Sequence, residues 1–414
     1  MGLPVARLRR ARDGGAGRAL SGLLAVALLA TAGADWRQFR GSDNTGVSQE
    51  TRLPVSFAAS HDLAWKIPLP GRGPSSPIVV AGRVVVTCSS GVRRDRLHVL
   101  CFDAADGHRL WQREFWATGN TLTHDIAAVA IPTPASDGRR IFAFYSSNDL
   151  ACLDLDGNLL WFRGLGYEHP TTRNAVGMSS SPLVVGDTVI VQLDNPGRAL
   201  VAGIDTGSGA TRWQMDRPAN AAFSSPTVFA GAALIQGKTD VWAVDAHSGR
   251  MLWKYEYPVP YQPVASATTW RDCVFLPGMK LCALRPATAG GEPKLLWAET
   301  RFRPEMASPL VYDGRLYVLK SSVLACGDAA DGRLRWQLRL KGAFWATPVC
   351  ADGRLYCVNR DGLVQVVQLG KEGKLLATSQ IDAGISASPA VAAGAIFFRS
   401  DRHLWKVAAT KPAE

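Results

Sequence analysis

Short apolar runs recur along most of the chain, separated at nearly even spacing by turn residues. Leu310-Val311-Tyr312-Asp313-Gly314-Arg315-Leu316-Tyr317-Val318 is representative: aliphatic, β-branched and aromatic residues flank an Asp-Gly pair, the pattern of a hairpin. A third run, Val323-Leu324-Ala325-Cys326, leads to the turn Asp328-Ala329-Ala330-Asp331-Gly332 and to a fourth run ending in Arg335-Trp336. Four strands per unit are predicted.

Two markers give the unit its period. Ser or Thr followed by Pro stands at Ser76, Thr133, Ser181, Ser225, Ser308, Thr347 and Ser388, with Ser266-Ala267 as a degenerate eighth copy. A Trp closes the unit at Trp111, Trp161, Trp213, Trp253, Trp297 and Trp336, while the seventh unit has Leu376 there. A repeat of roughly 40 to 50 residues signals a propeller or solenoid. The expected fold is therefore all-β: an eight-bladed β-propeller of four-stranded antiparallel blades. The eighth unit, Ser388 to about Val407, supplies only three strands, and Leu63-Ala64-Trp65-Lys66 looks like its displaced fourth. An N-terminal strand in the last blade would close the ring, leave no exposed sheet edge and place Trp65 in that blade. The repeated Trp has a structural role in this reading, filling the wedge between neighbouring sheets. The Asp-x-x-x-Gly turns are equally local, since Asp accepts backbone hydrogen bonds and Gly adopts positive φ.

The N-terminus changes the picture of where the protein works. Five arginines (Arg7, Arg9, Arg10, Arg12, Arg18), the apolar run Ala19 to Ala30 and the small residues Ala32-Gly33-Ala34 follow one another as in an export signal. The apolar run is too short for the roughly 20 residues of a spanning helix. Residues 1–34 are thus expected to be a leader, 35–62 an extended segment, 63–408 the propeller and 409–414 a tail, in a protein exported to the periplasm or beyond. Losing the leader's five Arg and one Asp lowers the net charge from +11 to +7. No run of Lys and Arg with interleaved aromatics marks a nucleic-acid groove. Of the eight Cys, Cys101, Cys152 and Cys326 stand where other repeats carry Gly203 and Ala243, which points to small core positions. Cys273 and Cys282 would face each other across a Pro277-Gly278 turn and form the one plausible disulfide.

Ile204-Asp205-Thr206-Gly207-Ser208-Gly209-Ala210-Thr211-Arg212-Trp213 and Val244-Asp245-Ala246-His247-Ser248-Gly249-Arg250-Met251-Leu252-Trp253 resemble the repeat of pyrroloquinoline quinone (PQQ) propellers, and the likeness extends over nearly all of residues 63–407. The resemblance implies one of two occupations: a quinoprotein alcohol dehydrogenase with PQQ and calcium on the axis, or a non-enzymatic propeller such as the outer-membrane-assembly scaffold. Repeats alone do not choose between them. The chain departs from the enzyme pattern in lacking adjacent Cys residues, large insertions and an acidic cluster for calcium. The expectation is a non-catalytic, monomeric scaffold for a protein partner or a small extracellular ligand, without a cofactor; an oxidoreductase using PQQ with calcium is the alternative, and an assembly subunit a second one.

Polar residues ending the second strands should gather on one face and form a net positive ring at one mouth of the channel. Asp194, Lys238, Lys320, Asn359, Arg360 and Arg399 belong to this ring. Two longer connections, Trp116 to Ile131 and Gly164 to Met178, contribute His124, Asp125 and Asn174. His124 and Asp125 have no accompanying nucleophile, and no catalytic residue or metal site is expected.

Overall fold

The computed structural model describes residues 35–58, 63–124, 127–172, 177–287 and 291–409. Every repeat becomes one antiparallel sheet, and eight sheets stand around an axis with their first strands innermost. Blade 1 comprises Ile78–Val80, Arg83–Ser90, Arg96–Asp103 and Arg109–Trp116. Blade 8 is Ala390–Ala392, Ala395–Arg399 and His403–Ala408, completed on the outside by Leu63–Pro68 from the other end of the chain. Trp65 faces Lys406 in that sheet and packs against Phe397 with ring centroids 5.8 Å apart. Among the described residues, helix is confined to Leu165–Glu168 and a 3-10 turn at Thr300–Phe302, and no helix is long and apolar enough to cross a membrane.

Alternation explains why the sheets stack. The second and third strands are buried on both faces, as in Thr188–Leu193, because each blade is covered by a neighbour on either side. The outermost strands alternate between buried and exposed positions, as in Met251–Glu256. Tight hairpins join the first two strands through two residues of positive φ, for example Asp313 (46°) and Gly314 (71°). That is the type I′ geometry that Asp-Gly favours.

The Trp works as a coupling between blades. In Trp161, Trp213 and Trp297 the indole N–H donates to a backbone carbonyl in the next blade's turn, Thr206, Ala246 and Ala329, at 3.0–3.1 Å. The turn glycine of that next blade lies flat on the ring; a Cβ at Gly249 would come within 2.6 Å of Trp213. On the neighbouring strand the residue opposite each Trp is small: Cys101, Cys152, Gly203, Ala243, Ala283 or Cys326. A Cβ at Gly203 would lie 2.2 Å from the indole of Trp213. The three cysteines therefore serve as compact apolar residues, and all eight thiols are buried and free. Burial pushes Cys101 and Cys152 up to about 12.

The register moves the seventh position by one: Ala377, not Leu376, stands opposite Val366, where the other blades carry the Trp. The turn that would cover a Trp in blade 7 belongs to blade 8, and there the third and fourth strands are the two ends of the chain. No turn glycine exists to lie on a ring there, so the small Ala377 fills the position, and Leu376 beside it stays 38% exposed. At the closure itself, Lys406 donates to the Ala104 carbonyl at 2.7 Å, the place that the Trp65 N–H would take by analogy with the other blades. The Trp65 indole nitrogen is left without a partner.

The candidate Cys273–Cys282 bridge, which required a two-residue turn at Pro277-Gly278, is not present. Residues 277–280 form a four-residue connection, and the register sets Leu276 opposite Cys282 and Phe275 opposite Ala283. Cys273 thus falls three positions out of step with Cys282.

If inter-blade coupling rests on the Trp, Trp213→Ala should cost about 3–5 kcal/mol. Leu376→Ala, at a half-exposed site, should cost under about 1 kcal/mol. Denaturant midpoints of the two variants check the contrast.

Candidate functional site

The Ser/Thr-Pro marker turns out to be the inner hoop of the ring. In each blade the backbone N–H of the marker residue donates to the side-chain hydroxyl of the marker in the next blade. The chain of bonds runs Ser76, Thr133, Ser181, Ser225, Ser266, Ser308, Thr347, Ser388 and back to Ser76, at 2.8–3.1 Å throughout. Proline after the marker holds it extended and adds no further N–H at the crowded axis.

Below this hoop the channel is closed by the chain's own N-terminal segment, which touches every blade. Trp36 pairs with Val79 of blade 1, the Arg37 carbonyl accepts from Ser136 of blade 2, and the Gln38 side chain accepts from Val184 of blade 3. Asn44 accepts from Val228 of blade 4, and Arg40 donates to Ala267 and Thr268 of blade 5 and to Pro309 of blade 6. Val47–Ser48 adds a parallel strand inside Val349–Ala351 of blade 7, and Glu50 accepts from Gly394 of blade 8. Phe39 forms the floor of an axial chamber of about 130 Å³ lined by the hoop hydroxyls.

Above the hoop the channel opens as a funnel of about 250 Å³. Its wall is built from residues two positions before each marker: Pro74, Ile131, Phe223, Val264, Met306 and Trp345, with Ser179 and Ser386 between them. All are at least partly exposed. A cation stands beside this wall, since the guanidinium of Arg360 lies 4.0 Å from the centre of the Trp345 ring. The funnel thus offers a mainly apolar surface with a cation at its edge, and it opens on the face that carries the longer connections.

The residues expected at this mouth divide into three groups. Lys238, Lys320, Arg360 and His124 are exposed, and of these Arg360 reaches the funnel wall through Trp345. Asp194, Asn359 and Arg399 are not presented to solvent, at 3%, 2% and 0% exposure. Asp125 and Asn174 lie outside the described residues. The buried three hold the fold together, which corrects their expected place in an open ring. Asp194 accepts from Arg217 at 3.0 Å and from Gln192 at 2.7 Å, while Gln192 also donates to the Gln236 carbonyl of the next blade. Burial pushes the Asp194 carboxyl above the usual carboxylate range, and Arg217 opposes that shift. Asn359 caps its own turn by accepting from Asp361 and Leu363 at 2.9 Å. Arg399 donates to the carbonyls of Ser75 and Thr87 in blade 1, clasping the two blades where the ring closes.

The family model described as outer membrane protein assembly factor BamB, PQQ_2, matches residues 32–255, 195–292 and 292–376. The chain belongs to this family of PQQ-repeat propellers. No curated protein matches it by sequence. Among solved structures, BamB from Moraxella catarrhalis superposes with a TM-score of 0.61 at 16% identity, covering 85% of this chain and 98% of that one. The quinohemoprotein alcohol dehydrogenase from Comamonas testosteroni gives 0.69 at 12% identity, with 92% and 82% covered. A europium-containing methanol dehydrogenase gives 0.67 at 14% identity, with 86% and 87% covered. At these identities the likeness is one of fold, and this PQQ-repeat propeller shares its architecture with binding proteins and enzymes alike.

Its described axial lining does not fit PQQ with calcium. Calcium takes six to eight oxygen ligands, usually with several carboxylates, and among the described residues no acidic side chain lines the funnel or the chamber. Among the described residues no three His, Cys, Asp or Glu side chains form a metal-binding group.

Asp194→Asn should lower stability by about 3–5 kcal/mol, because it removes the nearer counter-charge of buried Arg217 and leaves only Asp240, at 3.9 Å. Lys238→Ala should change it by less than about 0.5 kcal/mol. Chemical denaturation of both variants separates clasp from surface.

Proposed function

We propose that this PQQ-repeat propeller is a non-catalytic exported scaffold that captures a protein partner by an apolar side chain inserted into the axial funnel. The observation that carries the reading is the funnel wall itself: six apolar residues, including Trp345 and Phe223, converge on a depression of about 250 Å³ that is open on one side only. A depression of that size suits one or two large side chains, and aromatic residues at the centre of a contact commonly carry most of its binding energy. Arg360 at the edge favours a partner whose apolar residue is flanked by a carboxylate. The name of the matching family, an outer membrane protein assembly factor, supports a protein partner of that machinery in the periplasm. The unsuitable donor set at the axis supports a role without PQQ.

Photo-crosslinking in cells tests this. A benzophenone side chain at position 345 should give one defined protein adduct, the same label at exposed Leu110 on the outer strand should not, and Phe223→Asp should remove the adduct without unfolding the protein. A parallel titration with PQQ and calcium should give neither stoichiometric absorbance changes nor dye-linked alcohol oxidation. Stoichiometric binding with turnover would sink the scaffold reading.

A further inference from the structure

The hoop of hydroxyls has a chemistry that its structural role does not use up. Each of the eight accepts one N–H from the preceding blade, and none donates its own proton to another atom of the described residues. All eight residues are buried, at 2–7% exposure, and they face one chamber on the axis. A buried hydroxyl whose proton finds no acceptor costs about 1–3 kcal/mol. Eight such protons around one chamber therefore call for an acceptor inside it.

Two buried cations bond to residues adjoining the hoop. Arg40 follows Phe39 in the plug and donates to the carbonyls of Ala267 and Pro309, each next in sequence to a hoop residue, Ser266 and Ser308. Arg399 donates to the carbonyl and hydroxyl of Ser75, the neighbour of Ser76. Among the described residues neither guanidinium has a carboxylate within ion-pair distance, and the Nε atom of each has no partner. The contrast with buried Arg217 is direct, since that one has Asp194 at 3.0 Å. Burial lowers both Arg40 and Arg399 to about 10, the response of a charge without a counter-ion; Asp43 and Asp401 act on them only from farther away.

From the ring of inward donors and the two uncompensated guanidiniums beside it, we infer that the axial chamber binds a small monovalent anion of halide size. A volume of about 130 Å³ holds such an ion with a few waters, each taking about 30 Å³, and leaves no room for a multi-ring ligand. The anion enters through the funnel, since the plug closes the opposite side. Once bound, it accepts hydroxyl protons and neutralises the field of Arg40 and Arg399, so it stabilises the closed ring.

Bromide is the probe. Crystals grown in bromide should show an anomalous-scattering peak in the chamber within hydrogen-bond reach of several hoop hydroxyls. In solution the melting temperature should rise and saturate as bromide replaces gluconate at constant ionic strength, by about 3 °C or more at a hundredfold excess over the dissociation constant. Arg399→Gln should weaken the apparent bromide affinity at least tenfold, while Arg399→Lys retains most of it. If Arg399→Gln does not fold, the anomalous map of the unaltered protein decides alone. A chamber without an anomalous peak, or a melting temperature equal in bromide and gluconate, overturns the assignment.

Discussion

Everything in this protein depends on a ring that must close on itself. A four-stranded blade has two apolar faces and can bury them only against two neighbours, so an open ring leaves two faces exposed and a closed one leaves none. Closure is achieved at two radii. Near the axis, eight marker residues pass a hydrogen bond from blade to blade and back to the start. Farther out, the Trp of one blade lies under the turn glycine of the next. Because each link needs both partners, the couplings cooperate and the ring behaves as one unit.

Closure explains the exceptions as well as the repeats. Where the ring is sealed, the chain ends replace a turn, so Ala377 takes the place of Trp and Lys406 takes a carbonyl that an indole holds elsewhere. Arg399 spans the seam with bonds to Ser75 and Thr87 of blade 1. The N-terminal segment does more: eight blades leave an axial hole whose inner strands have unpaired edges, and residues 36–50 satisfy groups on every one of them. The plug turns a channel into a one-sided funnel, and that asymmetry decides from which face any ligand arrives.

The fold was legible because its determinants are local and repeated. Ser/Thr-Pro, Asp-Gly and the closing Trp recur often enough that period and blade number follow from spacing, and the lone Leu63-Ala64-Trp65-Lys66 stretch pairs as its position suggests. The candidate site was less legible. Strand polarity placed the second-strand ends on one face, but polarity does not reveal depth: Asp194, Asn359 and Arg399 lie inside because neighbouring blades supply partners that the linear sequence does not display. The funnel wall was available from the register, two residues before each marker, yet its residues share no type beyond being mostly apolar. The plug was hidden because Asp35 to Glu50 follows no repeat. The Cys273–Cys282 pairing failed on turn length, where a four-residue connection shifted the register by three.

Native-state hydrogen exchange at the eight marker amides, from Ser76 to Ser388, tests the closed ring most directly. All eight should exchange through a single opening whose free energy equals that of global unfolding, with the seam between Ser388 and Ser76 as protected as any other link. Faster exchange confined to that seam, at a free energy well below the global value, would show that the termini merely lie against each other and would contradict the account.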